Sequence, residues 1–545
     1  MGTVNVVSIV LNAHFPFVKD CVPLRKKDPN ALDSVPRQTE ISGTGLASAE
    51  ESEFFEAVSE TYLPLLSVMD RLEGDRVPFR LALAVSPLFG QMLGDGLLMK
   101  KYAAHLDRQI TFGARELERL GTRSGRQARL ARRYLDLAID RRAAFTARYE
   151  GDVLGALGHY RRKEKLEILA APATPAFLPF ISRFPESVQA QMEVGLSFCR
   201  YTMGASPRGF WLPGLGWSRE LEPFIRAHGF AYTIVDGHGF VFGSPPPSRG
   251  GFFPVKTPQG LVVLCRDHAA GCEIAAMRAD GSYRDNGRDA GHELPPDFVS
   301  GFIARNGARC RTGYKYWRRS GDPYDHDEAR AAAEGHARAF VENRHGRLEE
   351  ASRHMRESPV SLCVFEADAF GRDWHEGPHF LESVFRFAAR YRGLRFMNPS
   401  EYLAGQTDAA FEVSVPEFSS WGDSGYSETW LDSSNDWIYR HLNRACERMT
   451  ELAERFSGDS WVRERALNQA ARELLLAQSS DWPAMMRRRE SAEFARSRAE
   501  GSLRNFTAIY EAMSSNRIST EWLTDLESSR GVFPDINYRV FRRKT

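Results

Sequence analysis

Asn5-Val-Val-Ser-Ile-Val-Leu11 is a short apolar run rich in β-branched residues and reads as a buried strand. Runs of the same kind recur at Arg80–Val85, Leu166–Ala170, Tyr232–Val235, Leu261–Cys265, Ser361–Phe365 and Leu394–Met397. Between several of them the apolar spacing changes to steps of three and four. In Glu53–Leu72, for instance, Phe54, Val58, Tyr62, Leu65 and Met69 share one helical face. Strands alternating with helices over about 400 residues predict an α/β fold with a parallel sheet, open or closed.

The whole chain has 545 residues, which at roughly 150 per domain suggests two to four domains. Apolar residues make up 42% and charged residues 26%, both ordinary for a globular protein with a large core. Lys and Arg number 72 against 71 Asp and Glu, a balance that argues against a dedicated nucleic-acid or membrane-surface binder. The arginines of Arg108–Arg148 do not change this. Leu130, Tyr134 and Leu137 keep helical spacing beneath Arg126, Arg129, Arg132 and Arg133, as on the solvated face of an amphipathic helix.

The seven cysteines (Cys21, Cys199, Cys265, Cys272, Cys310, Cys363, Cys446) are scattered and form no C-x-x-C. That suits a reducing compartment rather than a disulfide framework or a zinc site. No apolar run approaches the ~18 residues of a membrane span. The N-terminus shows neither a signal-peptide pattern nor a myristoylation motif, so the expectation is a cytoplasmic protein. Past residue 400 the strand signals fade; Ser419–Arg440 carries Trp421, Trp430 and Trp437, and helical patterns follow. The expected division is therefore 1–400 and a helical 401–545.

Six collinear segments resemble glycoside hydrolase family 57, and within it the α-1,4-glucan branching enzymes. They are Leu11-Asn-Ala-His-Phe-Pro-Phe-Val18, Glu56-Ala-Val-Ser-Glu-Thr-Tyr-Leu-Pro-Leu-Leu66, Gly209-Phe-Trp-Leu-Pro213, Val235-Asp-Gly-His238, Phe365-Glu-Ala-Asp-Ala-Phe-Gly-Arg-Asp-Trp-His-Glu-Gly-Pro378 and Ser480-Asp-Trp-Pro483. The resemblance implies an incomplete (β/α)7 barrel over 1–400 followed by a helical bundle, an α-glucan or other polysaccharide as ligand, and no cofactor or metal. It gives no oligomeric state.

Retaining enzymes acting on glycosidic bonds need two carboxyl groups about 5–5.5 Å apart, one as nucleophile and one as acid and then base. The resemblance puts the nucleophile directly after G-F-W-L-P, where this chain has Gly214. Glu220 is too far along the chain to take its place without rebuilding the loop. The acid position corresponds to Glu366, with Asp368 two residues on, so the family's Asp and Glu are exchanged. Asn12 and Pro175 stand where the family has histidines, and Arg372-Asp373 replaces a His-Trp pair.

His14, Trp211, Asp236, His238, Trp374 and Glu376 match family positions, and Trp421 and Trp430 resemble aromatic positions facing the glucan cleft. Aromatic rings stack on sugar C–H faces, while carboxylates and imidazoles bond hydroxyls. His14, Trp211, Asp236, His238, Asp368, Trp374, Trp421 and Trp430 are therefore candidate glucan contacts. Each also has a packing explanation, and His14, Asp236 and His238 could instead form a metal set. Loss of the nucleophile points to a catalytically impaired, glucan-binding or regulatory pseudoenzyme. The alternative is a retooled hydrolase with Glu366 as acid and a water in the cavity left at Gly214; ordinary branching activity requires a nucleophile elsewhere.

Overall fold

The computed structural model describes residues 4–19, 48–121, 125–422, 424–456 and 460–543. Cys21 lies outside these; the other six cysteines are unbridged. The strands, in chain order, are β1 (Asn5–Ala13), β2 (Leu81–Val85), β3 (Leu166–Leu169), β4 (Gly209–Phe210), β5 (Tyr232–Val235), β6 (Val255–Lys256), β7 (Val262–Cys265), β8 (Val360–Glu366), β9 (Leu394–Phe396) and β10 (Glu412–Val413). One sheet runs β3-β2-β1-β8, with β9 also on β1; the other runs β10-β6-β7-β5-β4.

Two single-residue parallel bridges, Ala170 to Phe210 and Arg266 to Leu362, join the sheets. β1, β2, β3, β4, β5, β7 and β8 thus close a parallel ring, one strand short of the common eight-stranded barrel. Both faces of these strands are buried. Val6, Val10, Ala82, Ala84, Leu169, Ile234, Leu264, Leu362 and Val364 share one core, inside the ring. Val7, Ile9, Leu11, Leu83, Val263 and Cys363 join the core beneath the surrounding helices. This two-sided burial is why the strands read as continuous apolar runs rather than alternating ones.

The helical pattern over Glu53–Leu72 is realised as Ala49–Gly74. It opens on Ser48, whose hydroxyl accepts from the Glu51 N–H, and contains one π-helical turn at Val58–Tyr62. That turn precedes Pro64, which has no N–H to give to an i−4 carbonyl. In the helix Arg126–Ala143, Leu130 and Tyr134 are buried and Arg126, Arg129, Arg132 and Arg133 are exposed. Among the described residues no helix is long and apolar enough to cross a membrane.

Among the described residues five α-helices follow β10, Trp437–Arg455, Trp461–Ala477, Asp481–Arg488, Ala492–Ser514 and Thr520–Arg530, and then a 3-10 turn at Tyr538–Phe541. Ala466–Ala477 is buried almost throughout and forms their centre. The turn before Asp481 docks on the barrel. Thr174 Oγ1 donates to Leu475 O at 2.9 Å, the Ser480 N–H to Pro175 O at 3.2 Å, and Gln191 Nε2 to Gln478 Oε1 at 2.9 Å.

Candidate active site

Ligand sites in parallel barrels form at the carboxyl ends of the strands, where the loops converge. Here β1 ends at Asn12-Ala13 and delivers His14, and β8 ends at Glu366 and delivers Asp368 in the turn Ala367–Phe370. The parallel register puts Asn12 beside Glu366. Asn12 Nδ2 donates to Glu366 Oε2 at 2.8 Å.

The Glu366 side chain is open to solvent yet surrounded by protein, as the floor of a cleft is. That enclosure pushes its carboxyl up to about 7; the Asp368 charge adds to the shift, while Asn12, His14 and Arg488 oppose it. Asp368 is also raised by burial, although Arg372 lies 3.1 Å away and Thr61 Oγ1 donates to it at 3.0 Å. The exchanged acid pair is therefore one exposed, readily protonated carboxyl and one carboxyl engaged by its neighbours.

His14 Nε2 meets both Asp481 oxygens, at 2.9 and 3.0 Å. Burial works against its charged form, but Asp481, with Glu366 and Asp368 behind it, lifts the imidazole above its ordinary value. The Ser-Asp-Trp-Pro motif thus supplies a carboxylate to the end of the first barrel strand. Sequence reading paired neither Asn12 with Glu366 nor Asp481 with His14, because their partners lie hundreds of residues away.

Gly214 sits in the turn Pro213–Leu215 with φ of 60°, and Leu215 follows at 48°. The Gly214 carbonyl accepts from the Trp421 N–H at 2.8 Å. Where a water-filled space is expected in place of a side chain, the position is occupied by a ring. A Cβ at this position would lie 2.2 Å from Trp430 Cη2. Trp430 is 5% exposed and stacks on Phe177 with centroids 4.4 Å apart. Its ring is a packing element, not the open sugar platform expected of it. Glu220 is exposed on the following turn.

Trp374 also departs from expectation. It is fully buried among Tyr283, Phe370 and Phe380, and has no face for a sugar. Glu376 is buried too, accepting from the Tyr324 hydroxyl at 2.7 Å. Trp211 is buried in the barrel core, its ring 6.0 Å edge-on from Trp421. Trp421 is half-buried and lies under the Arg266 guanidinium at 5.3 Å, so of the four tryptophans it alone retains substantial exposure.

Asp236 is ion-paired: Arg266 Nη1 donates to it at 2.6 Å. His238 Nδ1 lies 3.3 Å from Asp236, and its Nε2 is 2.9 Å from the Gly425 carbonyl. Arg266 gave no sequence signal, being an isolated arginine past β7. Among the described residues no three His, Cys, Asp or Glu side chains are grouped as a metal would require. His14, Asp236 and His238 are thus not gathered into the alternative metal set.

A second cluster underlies the site. Glu60 takes Arg141 at 2.9 Å, Arg284 at 3.0 Å and His375 at 2.8 Å, and Glu56 takes Lys315 at 2.6 Å and Arg311 at 2.7 Å. Burial opposes both carboxylates, but Arg141 and Arg284, with the His375 hydrogen bond, hold Glu60 well below the usual range, and Lys315 and Arg311 hold Glu56 at about 2. The two glutamates of the Glu56–Leu66 motif are thus buried, ion-paired anions.

The glycosyl hydrolase family 57 model matches residues 48–286, and the C-terminal model of 1,4-alpha-glucan branching enzymes matches 441–541. A 1,4-alpha-glucan branching enzyme of Thermococcus kodakarensis is 25% identical over 83% of this chain and 69% of its own length. The crystal structure of the alpha-amylase AmyC from Thermotoga maritima superposes with a TM-score of 0.88 at 32% identity, covering 99% of this chain and all of that one. A family 57 branching enzyme from Pyrococcus horikoshii shares the fold, with a TM-score of 0.84 at 22% identity over 99% of this chain and 97% of its own. With its barrel, its helical C-terminal region and these relatives, the chain belongs to glycosyl hydrolase family 57.

Proposed function

We propose that this protein binds α-glucan in the cleft above Glu366 and does not turn it over by double displacement, acting as a glucan-binding or regulatory pseudoenzyme. The ligand class is taken from the relatives named as 1,4-alpha-glucan branching enzymes. One observation supports the proposal: the volume that a side chain would need at Gly214, where the resemblance puts the nucleophile, is filled by Trp430. A covalent glycosyl intermediate requires a carboxylate there. Asp368 is engaged by Thr61 and Arg372, and Asp481 by His14, so neither neighbouring carboxylate stands ready to replace it.

A hydrolase with Glu366 as acid is the second reading, favoured by its carboxyl being held at about 7, a suitable value for proton donation. Its water and base would have to act away from Gly214. The test is a long incubation with amylose beside Glu366→Ala, with chain lengths profiled before and after enzymatic debranching and amylose binding measured in parallel. Binding without new chain ends supports the proposal. Shortened linear chains made only by the unmutated protein establish the hydrolase. New α-1,6 branch points, or no amylose binding, overturn the proposal.

A further inference from the structure

The barrel has a second opening at the other end of its strands. A cavity of about 490 Å³ is lined by Arg80, Arg161, Arg208, Glu167, Ser206 and Asn398, with Glu164, Ser400 and Glu401 at its edge. Arg80 immediately precedes β2, Leu166 opens β3, Arg208 immediately precedes β4, and Asn398–Glu401 follows β9. Because β2, β3 and β4 run parallel to β8, this is the end opposite Glu366.

The charges at this cavity are unevenly satisfied. Glu401 takes Arg80 Nε at 3.1 Å. Glu167 accepts from the Tyr232 hydroxyl at 2.7 Å, the Ser400 hydroxyl at 2.5 Å and the Ser400 N–H at 3.0 Å, and burial raises its carboxyl above the ordinary value. Arg161 and Arg208, by contrast, form no ion pair with a carboxylate within 4 Å among the described residues, although the Arg208 charge acts on Glu167 and partly offsets the effect of burial. The Arg161 Nε is buried without a hydrogen-bond partner. Two guanidiniums facing one cavity offer several N–H donors for an anion, and guanidinium matches phosphate oxygens in bidentate fashion. Glu164, Ser206 and Asn398 add acceptors and donors suited to hydroxyls. The volume falls within the range of small-ligand sites.

We infer that this end of the barrel binds a phosphate monoester of a small polyol, such as a hexose phosphate, with Arg161 and Arg208 on the phosphate and the rim carboxylate and amide on hydroxyls. The site is independent of Glu366 and of the glucan reading. The probes are glucose 6-phosphate, inorganic phosphate and glucose, titrated calorimetrically into the full chain. Glucose 6-phosphate should bind with Kd at or below about 1 mM, at least about tenfold tighter than either fragment. Arg208→Gln should weaken it about tenfold or more. Arg208 is exposed, so this variant should keep its Tm without ligand, and its amylose binding should be unaltered. Arg161→Gln should weaken binding similarly. Absence of saturable binding, equal affinity for inorganic phosphate, or undiminished affinity in Arg208→Gln would each overturn the assignment.

Discussion

The six-membered ring of Trp430 stands where a side chain at residue 214 would project: a Cβ on Gly214 would lie 2.2 Å from its Cη2 and 2.5 Å from its Cζ2. The ring is held in place by Phe177, which stacks on the indole at an interplanar angle of 19°. A side chain at residue 214 and the Trp430 ring in its present position therefore exclude one another.

Gly214→Glu alone should not restore chemistry and should cost stability. The residue sits at φ of 60°, where a non-glycine side chain is strained, and the new side chain would collide with Trp430. Together these should destabilise by about 2–5 kcal/mol in urea denaturation. Trp430→Ala should cost less in that background than in the unmutated protein, because it also removes the collision, giving a double-mutant cycle far from additive. Additive effects would mean that the two residues do not share this space.

The tryptophans should separate by phenotype. Trp374→Ala removes a ring fully buried against Tyr283 and Phe380 and should cost about 3–5 kcal/mol. Trp421→Ala removes a half-buried ring and should lower amylose affinity severalfold with a much smaller loss of stability. If Trp421→Ala binds amylose normally, its ring is not part of the cleft.

The barrel was legible because two-sided burial writes a strand as a dense β-branched run. Asn5–Leu11, Leu166–Ala170 and Ser361–Phe365 fall on β1, β3 and β8 within two residues at each end. β4 was not legible as a strand: it holds only Gly209 and Phe210, and its place in the ring comes from tertiary closure. At the site, residue types on the first and eighth strands were readable, but orientation was not. Nothing along the chain distinguishes Trp374 and Trp430, turned into packing, from Trp421. Nor does spacing reveal that Arg266 neutralises Asp236 from 30 positions away.

Glu60 should prove indispensable to folding. Its carboxylate faces Arg284, whose side chain is wholly buried, together with Arg141 and His375. Glu60→Ala would leave a buried guanidinium without its main counter-charge, a loss of about 3–5 kcal/mol. The check is the urea midpoint of the variant. A drop under about 1 kcal/mol, the scale of an exposed ion pair, would mean that solvent reaches the cluster.

Glu366 and His14 should each contribute stability that is lost as pH rises across the neutral range. The Glu366 carboxyl stands at about 7 in the folded protein against an ordinary 4.5. The fold therefore favours its protonated form, a contribution complete below about pH 4.5 and lost as pH passes about 7. His14 is likewise raised above its ordinary 6.5, since the fold favours its cation beside Asp481; that contribution is complete below pH 6.5 and lost above it. The lowered carboxylates Glu56 and Glu60 act oppositely in acid, as pH falls from 4.5 towards their folded values, and the imidazoles of His105, His326, His375 and His379, which burial holds below 6.5, act oppositely up to about pH 6.5. Denaturation midpoints at about pH 5, 6.5 and 8 should therefore be compared between the unmutated protein and two variants. Relative to the unmutated protein, Glu366→Gln should shift the change between the first two towards greater stability at the higher pH, and Asp481→Asn should do so between the last two while costing about 1.5–3 kcal/mol at the lowest pH. A slope unchanged by Glu366→Gln would mean that the cleft carboxyl ionises at its ordinary value and holds no proton to donate at neutral pH.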